Sequence, residues 1–594
     1  MPSRIEKLRF RRRFRKGQKQ VEGLGQQAEQ HIERHLFGRF ENLKPIRRFL
    51  IGWLGLIILL IIGVAAQNIN LGNYYQSIQT VPGGIYNEGV IGKFTNANPM
   101  YATSEADKTV SKLVFAGLFN TNDKGQLVGN LAKSYSVDSH HTTYTIKLKP
   151  HLTWQDGKPL TSKDVMFTYL AIQNPDAQSP LQNGWQGVKI SAPDNQTVIF
   201  KLPGALTAFP YNLTNGIVPR HLLDKIAPAD LRSADFNTVH PIGAGPFTWQ
   251  GLTIESTNPD QASDEIALTP FQNYQNGSPK LQKFVVKVFA TSSQLDSAFA
   301  GHQLTAADGL NIVSDRLKKD KSVIQNSLQL RAANMVFFKT STGGVLTDQQ
   351  VRQALVTGAN VPQIISSLGY PVRAVREPIL TDQLAYSPEL TQAAYNSKQA
   401  KQLLTDDGWV IGKNGVRSKD GKPLTFALSS SDTLENHRVT NLLAKQWREL
   451  GVDTHVQLQD KAEFQSTVAY HNYEALLYGI TLGIDPDVFV YWDSSQADIR
   501  SANRLNLSEW KSTSADSALE SGRSRIDPSI RIIKYKPFLQ AWQQAAPALG
   551  LYQPRFLYLT HGPVTGLTKG SINSPTDRFN NVQNWEIRQV RVTN

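Results

Sequence analysis

Residue types that carry chemistry are present in this chain, but their spacing does not assemble a reaction site. No Gly-x-Ser-x-Gly elbow, His-Glu-x-x-His pair, Walker loop or calcium-loop spacing occurs. The twelve histidines are scattered. His31 and His35 lie four apart, yet HIERH has no third ligand nearby and reads as a solvated helix face. His140-His141 falls in a polar turn. Gly243-Ala244-Gly245-Pro246 looks like half of a phosphate-cradling loop, but Phe247-Thr248-Trp249 reads as strand, so no helix N-terminus follows to receive a phosphate. Asp123-Lys-Gly125, Asp156-Gly157, Asp407-Gly408 and Asp420-Gly421 fit Asx-turns. The absence of cysteine removes thiolate metal sites, cysteine nucleophiles, disulfides and cysteine-linked lipid anchors. Nothing in the pattern looks like an enzyme. No catalytic residue, metal or cofactor is expected.

The elements that would position binding groups are short strands mixed with amphipathic helices. Tyr144, Ile146 and Leu148 alternate with Thr143, Thr145 and Lys147, a period of two that predicts a half-buried strand. Val198, Phe200 and Leu202 repeat it, as do Leu424, Phe426 and Leu428. Leu442, Leu443, Gln446, Trp447 and Leu450 follow helical spacing until Gly451 stops them, and Val452, Thr454, Val456 and Leu458 then alternate as a strand. A second helix is expected over Asp348–Leu355, capped by Thr347 and ending near Gly358. Helix, glycine, strand is an α/β unit. With 594 residues, 40% of them hydrophobic, the chain has ample core for several such units.

The formal charge of +14 is unevenly spread. Residues 1–48 hold 14 Lys/Arg and 5 Asp/Glu, and the remainder is nearly balanced at +5. A nucleic-acid-binding fold would carry its excess across a folded face, so no nucleic-acid partner is expected. After the arm, Phe49–Ala66 reads FLIGWLGLIILLIIGVAA, and no charge recurs until Glu88. Eighteen residues at about 1.5 Å rise span roughly 27 Å, near the thickness of a hydrocarbon core. Arg47 and Arg48 flank one side only, which predicts a single-pass anchor with the N-terminus cytoplasmic and the main body extracellular or periplasmic. Val64-Ala65-Ala66 would serve as a signal-peptidase site, but a 48-residue charged segment is long for a cleaved leader. The basic arm suits anionic inner-leaflet lipid. Residues 67–83 read as a linker.

At the same turns the chain resembles a known family. Asn98-Pro99 with VSKLVFAGLFNTNDKGQLVGNLAKSYSVD, TYTIKLKPHLTWQDGKPLTSKDVMFTY, His240–Phe247, Val351–Leu355, LLTDDGW, DGKPLTF and GVDTHVQL form an ordered series over about residues 86–560. The series is similar to the bacterial extracellular solute-binding proteins of family 5, the oligopeptide, dipeptide and nickel group that serves ABC importers. The resemblance implies a two-lobed α/β periplasmic-binding-protein-like fold (type II, large peptide-binding class) with an inserted third domain, preceded here by one transmembrane helix. It places lobe I at about 84–118, 241–330 and 546–594, the inserted domain at about 119–240 and lobe II at about 331–545. The WQDG stretch would then serve turn and packing, away from ligand.

The resemblance further implies a peptide or small-molecule ligand between the lobes, with ABC permease and ATPase subunits as partners. Ligand backbone would pair with Thr103-Ser104 and with Tyr478-Gly479-Ile480-Thr481, in the manner of an added strand. The position that captures the peptide α-amino group in this family falls on Leu482, and no acid lies between Glu474 and Asp485. Asp485 could substitute only through a loop shift; otherwise an N-blocked or non-peptide ligand is expected. A family asparagine appears as Lys339. Tyr478, Trp492, Arg373 and Arg376 are candidate pocket-lining residues, with core packing the alternative for Trp492. Two other functions stay open from sequence: a solute sensor signalling through the basic arm, and an extracellular hydrolase, for which no nucleophile–base pair can be named.

Overall fold

The computed structural model describes residues 47–593 apart from 255–262, 311, 342, 499 and 502–503. Residues 1–46 of the basic arm lie outside the described residues. Two units divide the chain, residues 1–79 with 589–594, and Thr80–Arg588.

In the first unit one helix runs from Arg47 to Tyr75, 29 residues or about 43 Å. Phe49 and the described apolar side chains of 51–64 are all about half exposed or more. Among the described residues no helix is long and apolar enough to cross a membrane. The expected linker at 67–83 is corrected: the helix continues to Tyr75 and a strand follows at Gln76–Val81. Once a helix is nucleated each further residue adds a hydrogen bond, so polar composition alone does not end it.

Among the described residues the second unit contains two large sheets, a four-stranded one, and two small ones of three and two strands. The first is seven-stranded, in the order Val323–Gln329, Arg555–His561, Ala306–Asp308, Ile85–Ile91, Lys283–Phe289, Ser263–Pro270 and Phe247–Ile254. Ile85–Ile91 is parallel to both of its neighbours, and the outer pairings are antiparallel. The second sheet orders Asp453–Gln459, Thr425–Ser431, Ala475–Thr481, Ala332–Phe338 and Ala548–Tyr552. Its strand Ala332–Phe338 shows why MVFF is continuously apolar. Val336 and Phe338 enter one core while Met335 and Phe337 enter another, so both faces are covered. The third sheet, Ala132–Val137, Thr143–Leu148, Thr197–Lys201 and Lys189–Asp194, is antiparallel and packs Tyr144, Tyr169, Trp185, Phe200 and Phe209 together.

The chain passes between the two large sheets at Leu330-Arg331 and again at Gln553-Pro554. The two passages lie side by side: the Leu330 amide donates to Pro554 O, and Gln329 Nε2 donates to both Gln553 O and Pro554 O. Ala548–Tyr552 precedes the second passage and pairs with Ala332–Phe338. This corrects the expectation that 546–594 belongs wholly with the first sheet. The helix expected at Asp348–Leu355 runs Gln349–Thr357, with Asp348 rather than Thr347 accepting at its N-cap. Asp348 Oδ1 accepts from the Gln350 amide at 2.9 Å, while Thr347 closes a preceding 3₁₀ turn with its hydroxyl donating to Gly344 O. The glycines of Gly243-Ala244-Gly245 serve close packing: a Cβ on Gly243 would lie 1.9 Å from Val114 O.

Candidate functional site

A cavity of about 620 Å³ opens where four segments converge. The helix Glu105–Val114 supplies Lys108, Ser111 and Lys112, the loop after it supplies Gly117, and the strand Phe119–Thr121 supplies Asn120. Residues 180–185 and 211–216 of the small-sheet region form another wall, and 574–579 near the C-terminus close it. Five asparagines line it: Asn120, Asn130, Asn183, Asn212 and Asn215. Neutral amides both donate and accept, so they suit backbone-like ligand groups better than a single charge.

Lys112 Nζ donates to Asn120 Oδ1 at 2.9 Å. Burial pulls its pKa down, and the Asp577 carboxylate opposes that. The segment carrying Asp577 is fixed from below by Arg578, which is fully buried between Glu88 and Asp308. Burial raises the Asp308 pKa to about 6 despite the guanidinium beside it. A buried arginine held by two carboxylates cannot leave without stranding charge, so the 574–579 wall is rigidly placed.

None of the eleven residues expected to contact ligand lines this cavity. Ser104 caps the helix Glu105–Val114: its Oγ accepts from the Asp107 amide, and the Asp107 carboxylate reaches back to the Ser104 amide. Thr103, just before it, is exposed. Tyr478–Thr481 lies in the second sheet, paired with Ala332–Met335. On its other edge the pairing covers only Ala475 and Leu476 among the described residues. From Leu477 to Thr481 that edge carries main-chain groups outside any described ladder. Gly479 and Thr481 are exposed, Tyr478 is half-buried and Ile480 is buried.

Leu482 is buried, 5% exposed, and its amide donates to Arg331 O. Both oxygens of Asp485 accept from Arg531, at 2.8 and 2.6 Å, so its carboxylate is already paired within the loop. A second pair, Arg523–Asp487 at 2.9 Å, fixes the same loop. Trp492 is corrected from pocket lining to core: it is fully buried between Phe337 and Trp542. Arg373 and Arg376 are exposed on a segment alongside Leu551–Gln553. Lys339 Nζ donates to His471 O at 2.8 Å and lies 3.9 Å from Glu509, an internal role in place of ligand contact.

The loop after Thr481 and the cavity wall are electrostatic neighbours. Burial raises the pKa of Tyr211, which lines the cavity; the Asp485 charge raises it further, and Arg331 and Arg531 oppose. Gly125 holds a left-handed φ of +79°, and a Cβ there would press on the ends of the Ile484 and Arg331 side chains. Thr207 and His141 of the small-sheet region bond to the main chain at Arg523, Ser524 and Arg525.

Residues 126–501 match the model of the bacterial extracellular solute-binding proteins, family 5 (middle region). The chain belongs to this family. Family 5 membership makes it a solute-binding protein and not an enzyme. The oligopeptide-binding protein AppA of Bacillus subtilis is 26% identical over 522 residues, covering 85% of this chain and 91% of its own. The structure of that AppA in complex with a nonapeptide superposes with a TM-score of 0.69 at 23% identity, covering 86% of this chain and all of that one. NikZ from Campylobacter jejuni, in complex with Ni(L-His), gives 0.71 at 23%, covering 85% and 99%. These structures establish the family 5 fold as the two-lobed α/β one.

The cavity asparagines were beyond sequence reasoning. Five asparagines spread over 96 positions carry no periodic signal, and only the convergence of helix, strand and C-terminal segment reveals them as one surface.

Proposed function

We propose that this protein is the substrate-binding component of an ABC importer, capturing a peptide or related solute between two lobes and delivering it to a permease with its ATPase. One observation carries the reading: two α/β sheets joined by two adjacent chain passages, at Leu330-Arg331 and Gln553-Pro554. Paired crossovers are a hinge, and hinge closure traps a ligand. Lobe I is assigned to the seven-stranded sheet, the inserted domain to about 119–240 and lobe II to the five-stranded sheet. The main-chain edge at Leu477–Ile480, outside the described ladder, supports strand-like pairing with an extended ligand, while Thr481 O already accepts from Tyr491 Oη at 2.7 Å. The peptide bound by its relative AppA fits that mode.

Leu482 and the locked Asp485 narrow the ligand class. A peptide ammonium buried at that position would find no carboxylate, at a cost of several kcal/mol. The favoured ligand therefore keeps its terminal amine blocked or outside the site. The helix Arg47–Tyr75 is read as a membrane anchor, supported by the uncharged run Phe49–Ala66 and its exposed side chains. Tethering in this way raises the receptor's effective concentration at its transporter.

Native mass spectrometry of the full-length chain in detergent, challenged with free-amine and N-acetylated peptide pools, tests the proposal. Adducts with the acetylated pool are expected. No adduct with either pool would refute peptide capture, and a preference for free amines would refute the role given to Leu482.

A further inference from the structure

Three side chains that play no part in the cavity meet at one end of the seven-stranded sheet. His302 follows the helix Ser292–Ala300, Asp320 precedes the strand Val323–Gln329, and His561 ends the strand Arg555–His561. One ligand atom from each lies within 4.8 Å of the other two. His302 Nε2 stands 3.6 Å from Asp320 Oδ2, and the two imidazole rings are 4.2 Å apart.

His561 is already oriented. Its Nε2 lies 2.8 Å from Phe299 O, which can only accept, so that nitrogen carries the proton and Nδ1 keeps its lone pair in the neutral ring. Phe299 also stacks on the ring at 4.2 Å. In that tautomer Nδ1 accepts from Ser322 Oγ at 2.9 Å, and Asp320 Oδ1 accepts from the Ser322 amide at 2.8 Å. A main-chain carbonyl that accepts from one ring nitrogen and leaves the other facing the cluster is the outer-shell arrangement of metal-bound histidine.

We propose that His302, Asp320 and His561 form a surface site for a divalent transition-metal ion of the zinc type. Two imidazoles and one carboxylate suit Zn²⁺ and its neighbours, whereas Mg²⁺ and Ca²⁺ prefer oxygen sets. Tetrahedral binding at about 2.0–2.1 Å brings ligand atoms to roughly 3.3 Å from one another. The present spacing must therefore close by about 1.5 Å at most. His302 supplies that movement, since its side chain is 63% exposed and it sits in a short turn at φ +56°. Ser322 or water completes the fourth position. The bound ion would clip together three segments far apart in the chain, at an edge of the sheet remote in sequence from the ligand loop.

The test is equilibrium dialysis of the full-length chain, stripped with chelator, against Zn²⁺, alongside His302→Ala and Asp320→Asn. One equivalent is expected on the wild type, with affinity lower by more than about tenfold in each variant. Thermal unfolding should shift upward with Zn²⁺ in the wild type alone. No bound equivalent on the wild type, or retention at wild-type affinity by His302→Ala, overturns the proposal. His302→Ala decides by itself if Asp320→Asn impairs folding.

Discussion

The Asp485–Arg531 pair decides whether the loop after Thr481 is scaffold or ligand anchor. Arg531 is 5% exposed and Asp485 12% at the side chain, and their two hydrogen bonds are 2.6 and 2.8 Å long. Arg531 Nε also donates to Gly522 O at 3.0 Å. Two unit charges about 4 Å apart at an effective dielectric of about 20 attract by roughly 4 kcal/mol. Arg531→Met keeps much of the aliphatic stem but leaves Asp485 buried beside Asp487, whose carboxyl burial already pushes above its ordinary pKa. The expected loss is about 3–5 kcal/mol. Asp485→Asn with Arg531→Met removes both charges and should recover most of it, because a buried pair and its neutral replacement are close in stability. Urea unfolding of the wild type, the single variant and the double variant measures the cycle. Peptide binding by the double variant should stay within a few-fold of wild type. If Arg531→Met loses under about 1 kcal/mol, or the double variant loses binding altogether, Asp485 is a ligand anchor and the reasoning fails.

Three further outcomes are expected. Glu377 is buried with one carboxylate oxygen unpartnered, and burial pushes its pKa to about 8 against the opposing Ser387 amide. A folded pKa above the unfolded one means stability is greatest below about pH 4.5 and falls as pH rises through 8; Glu377→Gln should flatten this slope in denaturant titrations at pH 5, 7 and 9, and an unchanged slope would refute the assignment. Trp492→Ala should lower stability by about 3–5 kcal/mol, since the ring fills a core between Phe337 and Trp542; a loss of ligand affinity at unchanged stability would restore it to the pocket. Leu482→Asp should shift mass-spectrometric adducts toward free-amine peptides at least tenfold, at some stability cost from placing a carboxylate at a buried position, and an unchanged preference would count against the anchor position.

Local periodicity and composition were enough for much of this molecule. The alternation at Thr143–Leu148 and Thr425–Ser431, the helix ending near Gly451 and the Asp-Gly turns each depend on neighbours a few residues away. Steric preferences of the backbone act at that range, so sequence spacing carries them. The ordered motifs carried the family for the same reason, through local runs of residues rather than through a site. Only the tertiary structure placed strand Ala548–Tyr552 in the second sheet, buried Trp492, and spent Asp485 on Arg531, 46 positions away. It also gathered Asn120, Asn130, Asn183, Asn212 and Asn215 around one cavity, and His302, Asp320 and His561 around one point. Those juxtapositions arise from how sheets and loops pack across hundreds of residues. No short window of sequence contains the partner, so the chemistry of such a group is decided by burial and by which charge the fold sets against it.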